Sequence, residues 1–149
     1  YRSVSGPVPE PGRPAPLGEA ALARQGSAAT VVTYGAGVRW ALDAAEVLSA
    51  EGIEVEVVDL RWLRPWDHET VLTSVQRTGR VLIVHEAPRT GGFGAEVAAT
   101  VAEAAFTHLD APVARLGALD TPVPFSRPLE ALHSPQPRLL AELRRLLAF

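Results

Sequence analysis

An α/β fold, with a mainly parallel sheet of four to five strands and helices on both faces, is predicted by three features of this sequence. Short apolar runs rich in β-branched residues begin at 30, 55, 81 and 113. Stretches with apolar residues at helical spacing follow the first three, so strand and helix alternate as in βαβ units with right-handed crossovers. The chain, at 149 residues and 47% hydrophobic, is long enough for one core of this kind.

Residues 1–26 carry Pro7, Pro9, Pro11, Pro14 and Pro16 among Gly, Ser and Ala. That composition suits an extended linker, with Leu17 and Leu22 as points where its second half could rest on a surface. The folded domain is expected over 27–149. Thr30-Val31-Val32-Thr33-Tyr34 reads as a strand closed by Gly35 and Gly37. Val38, Leu42, Ala45 and Leu48 then recur at helical spacing up to Ala50, and Glu51-Gly52 ends that helix. Val55 to Leu60 is the next strand. Arg61 to Trp66 turns around Pro65, and Asp67 is placed to cap a helix whose inner face is Val71, Leu72 and Val75.

Gly79 stops that helix before a strand from Val81 to His85. The chain reverses through Gly91-Gly92-Phe93-Gly94 into a helix from Ala95 to about Thr107, with Val97, Val101 and Ala105 inward. Pro112 introduces a strand from Val113 to Leu116. Asp120 to Phe125 holds two prolines and reads as an extended loop, because a central strand needs the amide donors that proline lacks. Arg138 to Phe149 closes as an amphipathic helix with Leu139, Leu140, Leu143, Leu146 and Leu147 on its buried stripe.

Composition excludes several kinds of chemistry. The chain has no Cys, and its 14 basic residues are all Arg, so thiol nucleophiles, thiolate metal sites, Schiff-base lysines and the lysine of a phosphate loop are ruled out. Net charge is -3 with both signs interspersed. Neither nucleic acid nor an anionic membrane is an expected partner. No apolar run approaches a membrane span and no secretory leader is visible, so a cytoplasmic protein is expected. The missing initiator methionine suggests a piece of a longer chain.

Four histidines, His68, His85, His108 and His133, are too scattered to suggest a metal site. Gly35 and Gly37 follow a strand as a dinucleotide fingerprint would, but the third glycine is missing. His85 and Glu86 stand where a parallel sheet places ligands, at the carboxyl end of a strand. His85 is there either as a proton-transfer group or as a ring bonded to the turn it starts. The glycine turn beside it serves either close packing or an anion at the following helix start. Arg61, Arg64 and Arg89 would pair with Glu86 and Asp67 or bind an anion. Trp62, Trp66 and Phe93 are expected to be exposed interface anchors.

The succession VVTYGAG, EVEVVDLRWLRPWD, TGRVLIVHEAPRTGGFGAE, HLDAPVARL and LDTPVPF resembles the C-terminal domain of the β subunit of the 2-oxo acid dehydrogenase decarboxylase component, in the transketolase-like family. The resemblance implies an α2β2 heterotetramer that oxidatively decarboxylates a 2-oxo acid and passes the acyl group to lipoyl groups. PWD and HEAP lean toward branched-chain 2-oxo acids, although pyruvate-type subunits share much of this text. Thiamine diphosphate and magnesium would be bound outside this chain, and no catalytic, cofactor-binding or metal-binding residue carries over to it. Implied partners are the α subunit, a second β subunit and the peripheral subunit-binding domain of dihydrolipoyl acyltransferase. Asp120 and Phe149 would serve docking to that domain, and His85, Glu86, Gly91, Gly92, Phe93 and Gly94 subunit packing. The alternatives are the equivalent domain of transketolase or deoxyxylulose phosphate synthase, or a free-standing anion-binding module built on Gly91 to Gly94.

Overall fold

The computed structural model describes residues 16–149. Five strands form one sheet in the order β1-β3-β2-β4-β5: β1 (Ala21–Arg24), β2 (Ala29–Thr33), β3 (Val55–Asp59), β4 (Val81–Pro88) and β5 (Ala114–Ala118). β2, β3, β4 and β5 run parallel and only β1 is antiparallel, on β3. The helices are α1 (Ala36–Ser49), α2 (His68–Thr78), α3 (Gly94–Ala104), α4 (Arg127–His133) and α5 (Leu139–Leu147).

Alternation along the strands builds two cores. Val31, Val57, Leu82 and Val84 face Ala41, Ala45 and Leu48 of α1 and Leu139, Leu143 and Leu146 of α5. Val32, Val58, Val81 and Ile83 face Val71 and Val75 of α2 and Val97 and Val101 of α3. β2 is buried along its whole length, as a strand covered on both sides must be. The fold class expected from the sequence is the one observed.

Capping follows the local chemistry. Asp67 accepts from Thr70 N at 3.0 Å as the N-cap of α2, and its second oxygen takes Ala20 N at 3.0 Å. Gly79 ends α2 in the left-handed conformation, φ 68, where L side chains are strained. The Asp120–Phe125 stretch holds no strand, as its prolines dictate.

Four details depart from the sequence reading. Of the linker expected over 1–26, residues 1–15 lie outside the described residues, while Ala21–Arg24 is a sheet strand. Its exposed residues and single-sided pairing leave no apolar run to announce it. β4 continues past His85 to Pro88, across a register shift against β5 between Val84 and Pro88. α4 was not expected, although Ser126 precedes it and Pro128 sits in its first turn. α5 spans Leu139–Leu147, and Leu140 and Leu147 are only partly buried beside its fully covered stripe.

A polar network lies between the sheet and α2. Glu56 on β3 is fully buried and accepts from Ser74 Oγ and Arg77 Nη2. Thr30 Oγ1 joins it through Ser74 Oγ at 3.1 Å and Thr78 Oγ1 at 2.8 Å. Removing the cation would strand a buried carboxylate, a costly change even though the Arg77 side chain is 52% exposed. Arg77→Ala should therefore lower the unfolding free energy by about 2 kcal/mol. Arg39→Ala, which opens an exposed pair with Asp43 at 2.9 Å, should cost less than about 0.5 kcal/mol. Denaturant titration of the two variants gives the comparison.

Candidate functional site

The crossover from β4 to α3 is built on His85, whose side chain is 1% exposed. Its Nδ1 lies 3.0 Å from Ala87 O, and since a carbonyl can only accept, the proton sits on Nδ1. The opposite edge of the ring rests on the glycine turn. A Cβ on Gly94 would stand 2.4 Å from His85 Nε2, and one on Gly92 would stand 2.5 Å from Cε1. Tyr34, from the end of β2, stacks on the ring with centroids 6.0 Å apart and planes at 19°. His85 is thus a wedge bonded to the chain it leads into. Buried to this extent, the ring is placed as packing in this chain.

Gly91 differs from its neighbours, having φ +74 and open space around it. The turn's outer side adjoins a groove of about 1030 Å³ lined by Leu63, Arg64, Trp66, His68 and Phe93 among others. Trp66 meets His68 edge-on at 3.9 Å and Phe93 at 6.2 Å. Trp62, Trp66 and Phe93, expected to be exposed, are half-buried, and the last two pack on the α2–α3 core.

The anion reading of the turn finds little in this geometry. Ala95 N donates to Gly92 O at 3.0 Å, and Glu96 N and Val97 N donate to Phe93 O at 3.0 and 3.3 Å. Glu96 adds a carboxylate to the first turn of α3. At the start of α1, Gly35 needs its φ of +60, while a Cβ on Gly37 would stand 2.1 Å from Thr33 Oγ1. Both glycines of the partial dinucleotide pattern are explained by backbone and packing.

The expected pairing of Arg61, Arg64 and Arg89 with Glu86 and Asp67 does not occur among the described residues. Asp67 is committed to amides, and Glu86 lies exposed beside Gly35 and Tyr34. Burial and the Glu86 charge raise the Tyr34 phenol above its usual range. Asp120 is also engaged. Its two oxygens accept from Thr90 N at 2.9 Å and Thr90 Oγ1 at 2.7 Å, tying the end of β5 to the glycine turn. These bonds hold its carboxyl below the ordinary 3.8. Sequence reasoning missed the tie because its partners are thirty residues apart. Phe149 lies beyond α5 with 61% of its surface exposed.

Among the described residues, no group of three or more His, Asp or Glu could hold a metal ion. No helix among the described residues is long and apolar enough to cross a membrane.

The model of the transketolase C-terminal domain matches residues 18–139. The chain belongs to the transketolase C-terminal domain family. Its relatives include the mitochondrial 2-oxoisovalerate dehydrogenase subunit beta 2 of Arabidopsis thaliana, 51% identical over 83% of this chain and 35% of that protein. The pyruvate dehydrogenase E1 component subunit beta of Staphylococcus epidermidis is 45% identical over 85% of this chain and 39% of its own. A solved split-gene transketolase, described as an inactive beta4 tetramer, superposes with a TM-score of 0.79 at 30% identity, covering 99% of this chain and 47% of that one. This transketolase C-terminal domain thus spans less than half the length of these relatives.

The crossover of this transketolase C-terminal domain yields two tests. Gly94→Ala should destabilise the domain by about 2 kcal/mol through overpacking. Adding His85→Ala should recover part of that loss, with a coupling of at least about 0.5 kcal/mol in a double-mutant cycle read by thermal unfolding. The second test is pH. Burial, more than the nearby Arg115 charge, pushes His85 below its ordinary 6.5. The unfolded chain therefore takes up the proton first as pH falls. Stability should be held above about 6.5 and fall as pH drops toward the lower folded value, and His85→Gln should flatten that slope. Losses from Asp67 and Asp120, whose carboxyls are held below 3.8, belong to more acidic solutions.

Proposed function

We propose that this domain is the C-terminal part of the β subunit of a thiamine diphosphate-dependent 2-oxo acid dehydrogenase, where it serves subunit packing and docking while chemistry proceeds elsewhere. The reading is carried by the 51% identity over 83% of the chain to a 2-oxoisovalerate dehydrogenase β subunit. The whole enzyme would oxidatively decarboxylate a 2-oxo acid, branched-chain or pyruvate, and transfer the acyl group to lipoyl groups. It would do so as a cytoplasmic α2β2 heterotetramer.

Within that enzyme the domain's own residues position and pack. His85, Gly92 and Gly94 rigidify the crossover. Glu86, Gly91 and Phe93 would meet a neighbouring subunit, with the groove beside Trp66 receiving its apolar side chains. Phe149 would take part in docking to the peripheral subunit-binding domain of the acyltransferase. Asp120, with both oxygens on Thr90, would act there chiefly by holding the turn. Thiamine diphosphate and magnesium would be bound by other parts of the assembly.

The test uses the full-length protein that contains this chain, together with its companion α subunit, thiamine diphosphate and magnesium. Lipoyl-dependent turnover of 2-oxo acids is expected from the assembly and none from this domain alone. Transfer of ketol groups between sugar phosphates in place of that turnover would favour the transketolase alternative. Leu63→Asp puts a charge on the groove wall at a position 36% exposed, so the fold should survive. Sedimentation should then show loss of the heterotetramer, and an intact assembly would count against the groove as an interface.

A further inference from the structure

Away from the crossover groove, a recess of about 290 Å³ opens where β4 ends, β5 ends and α5 begins. Four arginines line it, Arg89, Arg115, Arg138 and Arg145, against two carboxylates, Asp120 and Glu142. That leaves a net local charge of +2 on a chain whose overall charge is -3. The two acids are already employed. Glu142 pairs with Arg145 at 2.9 Å, and both oxygens of Asp120 accept from Thr90.

The other three guanidinium groups have no carboxylate within ion-pair distance among the described residues. Two of them are fixed by main-chain carbonyls, which hold their geometry without adding a countercharge. Arg115 Nη1 donates to Arg89 O at 3.2 Å, and Arg138 Nη2 donates to Gly117 O at 2.9 Å. Arg138 Nε is buried with no partner. An unpaired buried donor costs free energy, so the hydrogen-bonding capacity of this guanidinium is not fully used. Arg89 and Arg115 also act on Asp120, helping to keep its carboxyl ionised.

We propose that this recess binds a phosphate-type dianion, carried either as inorganic phosphate or as the phosphoryl group of a small phosphorylated molecule. Guanidinium forks suit tetrahedral oxyanions because each presents paired donors in a plane. A dianion would neutralise the local +2 and join three elements, through Arg89 after β4, Arg115 on β5 and Arg138 ahead of α5. A basic segment of a partner would be repelled here, so this site is distinct in sign from docking that relies on an exposed carboxylate. The site does not depend on which enzyme the domain serves.

Calorimetric titration of the full-length protein with inorganic phosphate, at low and at physiological salt, tests the proposal. Saturable binding is expected, weaker at the higher salt, together with a rise in melting temperature. Arg115→Gln and Arg89→Gln should each weaken binding at least tenfold, and Arg24→Gln, on β1 at the opposite edge of the sheet from β5, should not. Arg89 is exposed and its side chain makes no hydrogen bond among the described residues, so its variant guards against a folding defect. Taking wild type minus variant removes phosphate held anywhere else in the protein. Glycerol 3-phosphate binding more tightly than phosphate would support a phosphorylated small molecule as ligand, and equal binding would support free phosphate. Absence of binding, or binding unchanged in both recess variants, would overturn the proposal.

Discussion

Burial of β2 and β4 on both faces is the constraint to which the rest of this domain answers. A parallel strand in that position has no wet side. Neighbouring residues such as Val31 and Val32, or Leu82 and Ile83, must each find a separate core. Helices are then required above and below, and every connection must emerge at a sheet end. Polar side chains inside the layers survive only when paired, which is why Glu56 and Thr30 reach a set of α2 hydroxyls and Arg77.

The crossover and the arginine-lined recess lie on opposite sides of one short tie, from Thr90 to Asp120. On one side His85 fills the space left by two glycines. On the other, carbonyls of Arg89 and Gly117 hold guanidinium groups in place. Gly117 is part of this arrangement, because a Cβ there would stand 2.8 Å from the Arg89 backbone. Asp120 belongs to both, since it binds Thr90 of the turn and lines the recess. Relatives named for 2-oxoisovalerate, pyruvate and acetoin are 51%, 45% and 44% identical to the chain.

How much was legible in the sequence depended on whether a signal was local. The four buried strands and the long helices announced themselves, since alternating or helical periodicity is written into neighbouring residues. Asp67 was readable as a cap for the same reason. β1 was not, because it pairs along one side only and exposes Leu22 at 43%. The extension of β4 to Pro88 depends on a bulge whose partner is on β5. At the site, the hydrogen bond from His85 to its own turn was one of the two readings the residues allowed. Thr90 meeting Asp120, Tyr34 stacking on His85 and the gathering of four arginines required three dimensions. α4 had a usable signal in Ser126 and Pro128 that the neighbouring prolines obscured.

β1 also bears on where this domain can be cut. The change of composition at residue 27 invites a boundary there, yet such a cut would remove β1, which pairs with β3 through Ala21↔Asp59 and Leu22↔Val58. It would leave the amides and carbonyls of β3 open along a run whose residues are almost all buried. An uncovered edge of that kind is a template for another chain, and self-association through it competes with folding. A chain begun ahead of β1 would keep that edge covered.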